Sequence, residues 1–227
     1  MRVALVSGAN RGIGLAIARE VKAAGYALSL GVRNPQSVPA DLLGPDTQVH
    51  AYDAASASEA AWVDAAVARF GRIDALVNNA GIAPFVGFEE GSDEDLDALL
   101  EVNVKAPFRL VRAALPHLKA AGAGRVVTVA SLSGKRVLGL NAGYQMAKHA
   151  AVALSHATRR IGWEHGIRAT ALCPGYVDTD LTAGVDFPRE EMSRPEDLAR
   201  LVITVLQLPN TASVAELLVN CRFEPML

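Results

Sequence analysis

The run Arg2-Val3-Ala4-Leu5-Val6-Ser7-Gly8-Ala9-Asn10-Arg11-Gly12-Ile13-Gly14 reads as a strand, a glycine-rich turn and the opening of a helix. Glycine permits a tight turn and lets backbone approach a pyrophosphate closely. The helix that follows offers unpaired N–H groups and a partial positive charge to an anion. The spacing is GxxxGxG, not GxGxxG, and the same pattern also serves a plain strand-to-helix turn. No Lys-Ser/Thr follows the glycines, which excludes a P-loop.

Working outward, short apolar runs alternate with longer stretches of helical period. Strands are predicted at Arg2–Val6, Ala27–Val32, Gln48–Tyr52, Ala75–Asn78, Arg125–Ala130, Arg168–Cys173 and Val214–Asn220. They are rich in Val and Leu and mostly do not alternate with polar residues, as strands covered on both faces do not. Helices are predicted at Ile13–Ala24, Ala57–Phe70, Glu94–Ala121, Tyr144–His165 and Pro195–Leu206. Repeated βαβ units imply an α/β, doubly wound Rossmann-type parallel sheet of about seven strands with helices on both faces. The 227 residues suit one domain, 1–227, with no linker or repeat dividing it. Arg33–Asp46 reads as a surface loop. Residues 176–194 follow a strand end and carry Gly184 and Pro188, the pattern of a short lid.

Composition narrows the function. A net charge of −2 with scattered Lys and Arg gives no patch for nucleic acid. Two cysteines, Cys173 and Cys221, support neither a disulfide framework nor zinc, and the five histidines have no metal-ligand spacing, so no metal is expected. No signal peptide or membrane-length apolar run is read, so a cytoplasmic location is expected.

The second strand ends Gly31-Val32-Arg33, with no acid to bind a ribose 2′-hydroxyl as NAD-binding strands do. Arg33 and Arg11 could pair with the 2′-phosphate of NADP(H) through charge-assisted bonds, or stand as solvated surface arginines. NADP(H) is the preferred reading. Tyr144 and Lys148, at i and i+4 of one helix, share a face. An ammonium about 4 Å from the phenol supplies on the order of 4 kcal/mol, about three pKa units toward neutrality. Such pairs also occur by chance on helix surfaces. Ser131 closes a strand, where a hydroxyl could steady a substrate carbonyl or simply cap the next turn. Asn103 lies inside a predicted helix as a mediocre former, either an exposed polar position or a helix defect that orders water beside Lys148.

Taken together, in order along almost the whole chain, these residues resemble the short-chain dehydrogenase/reductase family in its compact single-domain branch. Its TGxxxGxG is similar to Ser7 through Gly14, with Ser for the usual Thr. Its NNAG matches Asn78–Gly81, its YxxxK matches Tyr144–Lys148, and its PGxVxT matches Pro174–Thr179. The resemblance implies an oxidoreductase passing hydride between NADP(H) and a carbonyl or alcohol of a small molecule. Tyr144 would be the general acid or base, Lys148 would hold the nicotinamide ribose and lower the tyrosine pKa, Ser131 would position the carbonyl, and Asn103 would hold a relay water. Cofactor contacts are implied at Gly8, Asn10, Arg11, Gly12, Ile13, Gly14, Arg33, Asp53, Asn79 and Ala80, at Tyr144 and Lys148, and at Pro174, Gly175, Val177 and Thr179. It also implies a homodimer or homotetramer.

Two departures stand out. The usual Gly-rich close of the last strand is replaced by Cys221-Arg222-Phe223-Glu224-Pro225, and the segment between Thr179 and Arg194 is short. Leu181, Val185 and Phe187 in that segment could cover an apolar substrate or pack on their own domain. Two other readings compete: a catalytically silent NADP(H) sensor acting through protein partners, which has no use for Ser131, Tyr144 and Lys148, and a sugar-nucleotide epimerase, which needs a larger C-terminal region. A hydrolase would need a GxSxG elbow.

Overall fold

The structure, a computed structural model, describes residues 1–224; Pro225 lies outside them. Seven strands form one sheet: β1 (Val3–Ser7), β2 (Ala27–Val32), β3 (Thr47–Ala51), β4 (Ala75–Asn78), β5 (Arg125–Val129), β6 (Arg168–Pro174) and β7 (Glu216–Val219). Their spatial order is β3-β2-β1-β4-β5-β6-β7, and every neighbouring pair is parallel. The predicted strands all occur, with ends shifted by up to two residues.

The chain winds outward from β1 in one direction and from β4 in the other. A crevice therefore opens above the C-terminal ends of β1 and β4, where loops leave in opposite directions. Every residue of β1 is buried, as a strand with helices on both faces must be. Ala4 and Val6 face one core with Ile17 and Val21 of α1 (Gly12–Ala23) and Leu198 and Val202 of α6 (Pro195–Gln207). Val3 and Leu5 face the other, with Trp62 of α2 (Glu59–Phe70) and Leu110 and Leu118 further along. Gly31 is obligatory here: a Cβ on it would lie 2.6 Å from the Trp62 ring.

One predicted helix differs. Glu94–Ala121 divides into α3 (Asp93–Leu100), a π turn (Glu101–Lys105) and α4 (Ala106–Ala120). At the turn the Ala106 N–H bonds to the carbonyl of Glu101, five residues back. Pro107 has no N–H to give to the carbonyl of Asn103, four residues back, so the α ladder cannot run through this point. Glu101 is held there by Arg109, which also pairs with buried Glu59 of α2. The last long helix, α5 (Ala142–Gly162), starts two residues earlier than predicted because Asn141 caps it, accepting from the Tyr144 N–H at 3.1 Å. It ends in a 3-10 turn at Trp163–His165.

Candidate active site

The crevice is a cleft of about 460 Å³ lined from one end by the Gly-rich turn and from the other by Ser131, Tyr144 and Lys148. Buried Ser7 ties its parts together from below. The hydroxyl of this residue accepts from the N–H groups of Asn79 (2.9 Å) and Ala80 (3.0 Å), tying the end of β1 to the turn after β4. Asn79 returns the contact, donating through Nδ2 to the carbonyls of Ser7 and Gly8. Gly8 takes φ +66°, and its own N–H bonds across to Gly31.

No side chain caps α1, and no acid stands in its first turn. The orphan N–H groups at Gly12, Ile13 and Gly14 are therefore left to an anion, and the residues present fit a dinucleotide pyrophosphate. Gly14 is the tightest point. A Cβ there would lie 2.2 Å from the Gly8 carbonyl and 2.3 Å from Asn79 Nδ2. We expect Gly14→Ala to push the turn outward at a cost of about 1–3 kcal/mol, lowering the melting temperature by about 2–4 °C per kcal/mol. Dinucleotide affinity falls with it. Calorimetry and titration check both, and an unshifted midpoint contradicts the packing.

Arg33, Asn34 and Ser37 line the cleft at the end of β2, and no carboxylate stands on that strand end. Asn10 reaches across, donating to Ser37 Oγ at 3.0 Å. Arg11 is exposed and pairs with Asp180, in the segment after β6, at 3.1 Å. Asp53 lines the cleft and turns its carboxylate to the Ala55 N–H. Pro174, Gly175, Val177 and Thr179 form the wall after β6.

At the far end Tyr144 and Lys148 face each other, with Lys148 Nζ 5.5 Å from the centroid of the phenol ring. The amine donates to the Val129 carbonyl at 3.0 Å. Burial dominates both groups. It pushes the Tyr144 phenol up to about 12, against an opposing pull from the Ser131 hydroxyl, and drives Lys148 down to about 8. The expected lowering of the tyrosine by its neighbour is thus not found in the ligand-free site, because the amine itself is desolvated and aimed at a carbonyl. Ser131 Oγ also accepts from the Ser133 N–H, so its capping and site-facing readings hold at once.

Asn103 sits in the π turn, as a helix defect should, but does not line the cleft. Its side chain is spent on Ile82, accepting from the N–H (3.0 Å) and donating to the carbonyl (2.8 Å). Asn103 and Lys148 both border Gly81, whose added Cβ would lie 3.2 Å from Asn103 Oδ1 and 3.9 Å from Lys148 Nζ.

The sequence profile of the short chain dehydrogenase family matches residues 2–189. The chain belongs to the short-chain dehydrogenase/reductase family. It is 41% identical to an agropine synthesis reductase of Rhizobium rhizogenes over 228 residues, covering 98% of this chain and 53% of that protein. The chain thus spans about half the length of that curated relative. An alcohol dehydrogenase from the archaeon Thermococcus sibiricus, solved with 5-hydroxy-NADP, superposes with a TM-score of 0.88 at 33% identity, covering 96% of each chain. A 3-ketoacyl-(acyl-carrier-protein) reductase from Brucella melitensis, solved with NADH, gives 0.90 at 26% identity over 97% of each.

In this short-chain dehydrogenase/reductase chain the segment 176–194 splits its apolar residues between two tasks. Leu181 borders the cleft. Phe187 packs on Tyr176, ring centroids 5.2 Å apart, and Arg222 of the C-terminal segment lies over both rings. Glu224 pairs with Arg136 at 2.8 Å. The unusual C-terminus thus braces that segment and the turn after β5. No helix among the described residues is long and apolar enough to cross a membrane, and no cluster of metal-binding side chains occurs among them. Tyr52, Ile82 and Val102 also line the cleft and were not singled out from sequence, since isolated apolar residues carry no spacing signal.

Proposed function

We propose that this chain is an NADP(H)-dependent oxidoreductase acting on a carbonyl or alcohol of a small molecule. The observation that carries the reading is the convergence of Ser131, Tyr144 and Lys148 at one end of a cleft whose other end is an uncapped, glycine-lined helix N-terminus. When bound, the nicotinamide supplies or accepts the hydride. The residues of this chain do the rest. Ser131 donates a hydrogen bond to the substrate oxygen. Tyr144, protonated at neutral pH, gives that oxygen its proton in reduction and takes it back in oxidation. Lys148 holds the nicotinamide ribose and, once charged, favours the phenolate. The Asn103 carbonyl, which Pro107 cannot satisfy, is the atom offered to a relay water.

The neighbours named above were solved with an NADP derivative in one case and NADH in the other, so the preference rests on this chain's own Arg33 and Arg11. Charge-assisted bonds to a phosphate are worth about 1.5–3 kcal/mol each. Arg33→Ala should therefore weaken NADPH binding by about 10–100-fold and leave NADH within about twofold. Fluorescence titration with both nucleotides decides this; equal losses for the two would sink the assignment. Turnover is tested by NADPH oxidation against ketones, aldehydes and quinones, with NADH as control. Tight NADPH binding with no oxidation across that panel would favour the sensor reading.

A further inference from the structure

The stretch Gly81–Val86 lines the cleft at Gly81 and Ile82 and runs on, without regular structure, as a wall against α5, and two asparagines pin it at both ends. Asn103 takes the N–H and carbonyl of Ile82. Asn141 takes the other end: its Oδ1 accepts from the Val86 N–H at 3.1 Å, and its Nδ2 donates to the Pro84 carbonyl at 2.9 Å. The same Oδ1 caps α5 at the Tyr144 N–H. The Gly143 N–H bonds to the Val86 carbonyl at 2.9 Å, and a Cβ on Gly143 would lie 2.9 Å from Val86 Cβ, so the wall lies flush on the first turn of α5.

Capping a helix needs one acceptor, which Ser or Asp provides as well as Asn. The two bonds to Pro84 and Val86 are surplus to capping and need a planar amide, acceptor and donor together. They fix the wall to the residue three positions before the phenol.

We propose that Asn141 is a positioning residue for the reaction. It sets the distance between the Pro84–Val86 wall and the Tyr144 phenol, and with it the size of carbonyl compound admitted. This rests on the reading of Tyr144 as the acid–base group. Phe85 in this wall and Leu140, the neighbour of Asn141, are exposed apolar side chains, which favours a bulky apolar ketone over a small one.

Asn141→Ser keeps the cap and removes both wall bonds. Asn141→Asp keeps both N–H acceptors and sets an oxygen against the Pro84 carbonyl. In Asn141→Ser we expect the Val86 amide to exchange about tenfold faster or more, read by NMR on the full chain. The KM for 1-phenyl-1,2-propanedione should rise about tenfold, with its preference over 2,3-butanedione reduced at least about threefold and the KM for NADPH within about twofold. Asn141→Asp should fall between Ser and wild type in each. Wild-type exchange and dione preference in Asn141→Ser would overturn the proposal. So would a parallel rise of both KM values with a lowered melting temperature, the mark of a merely structural cap. If the wild type reduces neither dione, the same comparison is made with the largest and smallest carbonyl compounds of the panel above that it reduces; if it reduces none of the panel, the oxidoreductase reading fails, and exchange at Val86 still decides whether Asn141 holds the wall.

Discussion

Tyr144→Phe reduces turnover by about 10²–10⁴-fold, the contribution of a positioned acid–base group, and leaves NADPH affinity within about twofold. The substitution removes one oxygen from a buried ring and changes neither the Gly-rich turn nor the end of β2, so cofactor binding has no reason to move. Burial holds the phenol near 12, so it stays protonated through the neutral range. In reduction it is therefore always ready to donate, and the rate should be flat between about pH 6 and 7.5, below the range where Lys148 gives up its proton. In oxidation the required species is the phenolate, scarce at pH 7, and the rate should climb about tenfold per pH unit through the same range. A Phe variant that turns over at the wild-type rate, or an oxidation rate independent of pH, would remove Tyr144 from the chemistry.

The fold was legible in the sequence because its signals are periodic. Seven doubly covered strands and the Gly-rich turn follow from local pattern alone, and Gly14 could be read from chemistry before its 2.2 Å approach to Gly8 was seen. The π turn was half legible. Asn103 marked a weak point, but the decisive residue is Pro107, four positions on, which lies where a proline at a helix start would be unremarkable. Asn141 carries an N-cap signal, Asn just before a periodic stretch, that the predicted helix start at Tyr144 passes over. What no local pattern carries is the wall it holds, 55 residues earlier in the chain. The balance of burial and charge at Tyr144 and Lys148 was not legible either. Spacing tells that two groups are near, not how far water is excluded from them.

That exclusion makes Lys148→Met a substitution with opposite effects on stability and activity. In the folded chain the amine is buried, has the Val129 carbonyl at 3.0 Å as its one hydrogen-bond partner among the described residues, and has its pKa driven from 10.5 down to about 8. Because the folded value lies below the unfolded one, the folded state gives up this proton more readily. Its charge therefore costs stability at and below pH 8, and the cost is relieved as pH rises from about 8 toward 10.5. At pH 7 the penalty is about 1–3 kcal/mol, taking the full shift as an upper bound. Met fills the same volume with no charge, so ligand-free Lys148→Met should melt about 3–10 °C above the wild type at pH 7. The gap should narrow sharply toward pH 10 and close above about pH 11, where the lysine is largely neutral in both states; losses common to both proteins cancel in that difference. The same variant should lose turnover by about 10²-fold or more and bind NADPH more weakly, because the ammonium that burdens the folded cleft is the group offered to the ribose and the phenolate. A variant that melts lower than the wild type at pH 7, by a margin that persists at pH 10, would mean that the amine is a net stabiliser of this cleft and that its protonation is not governed by burial.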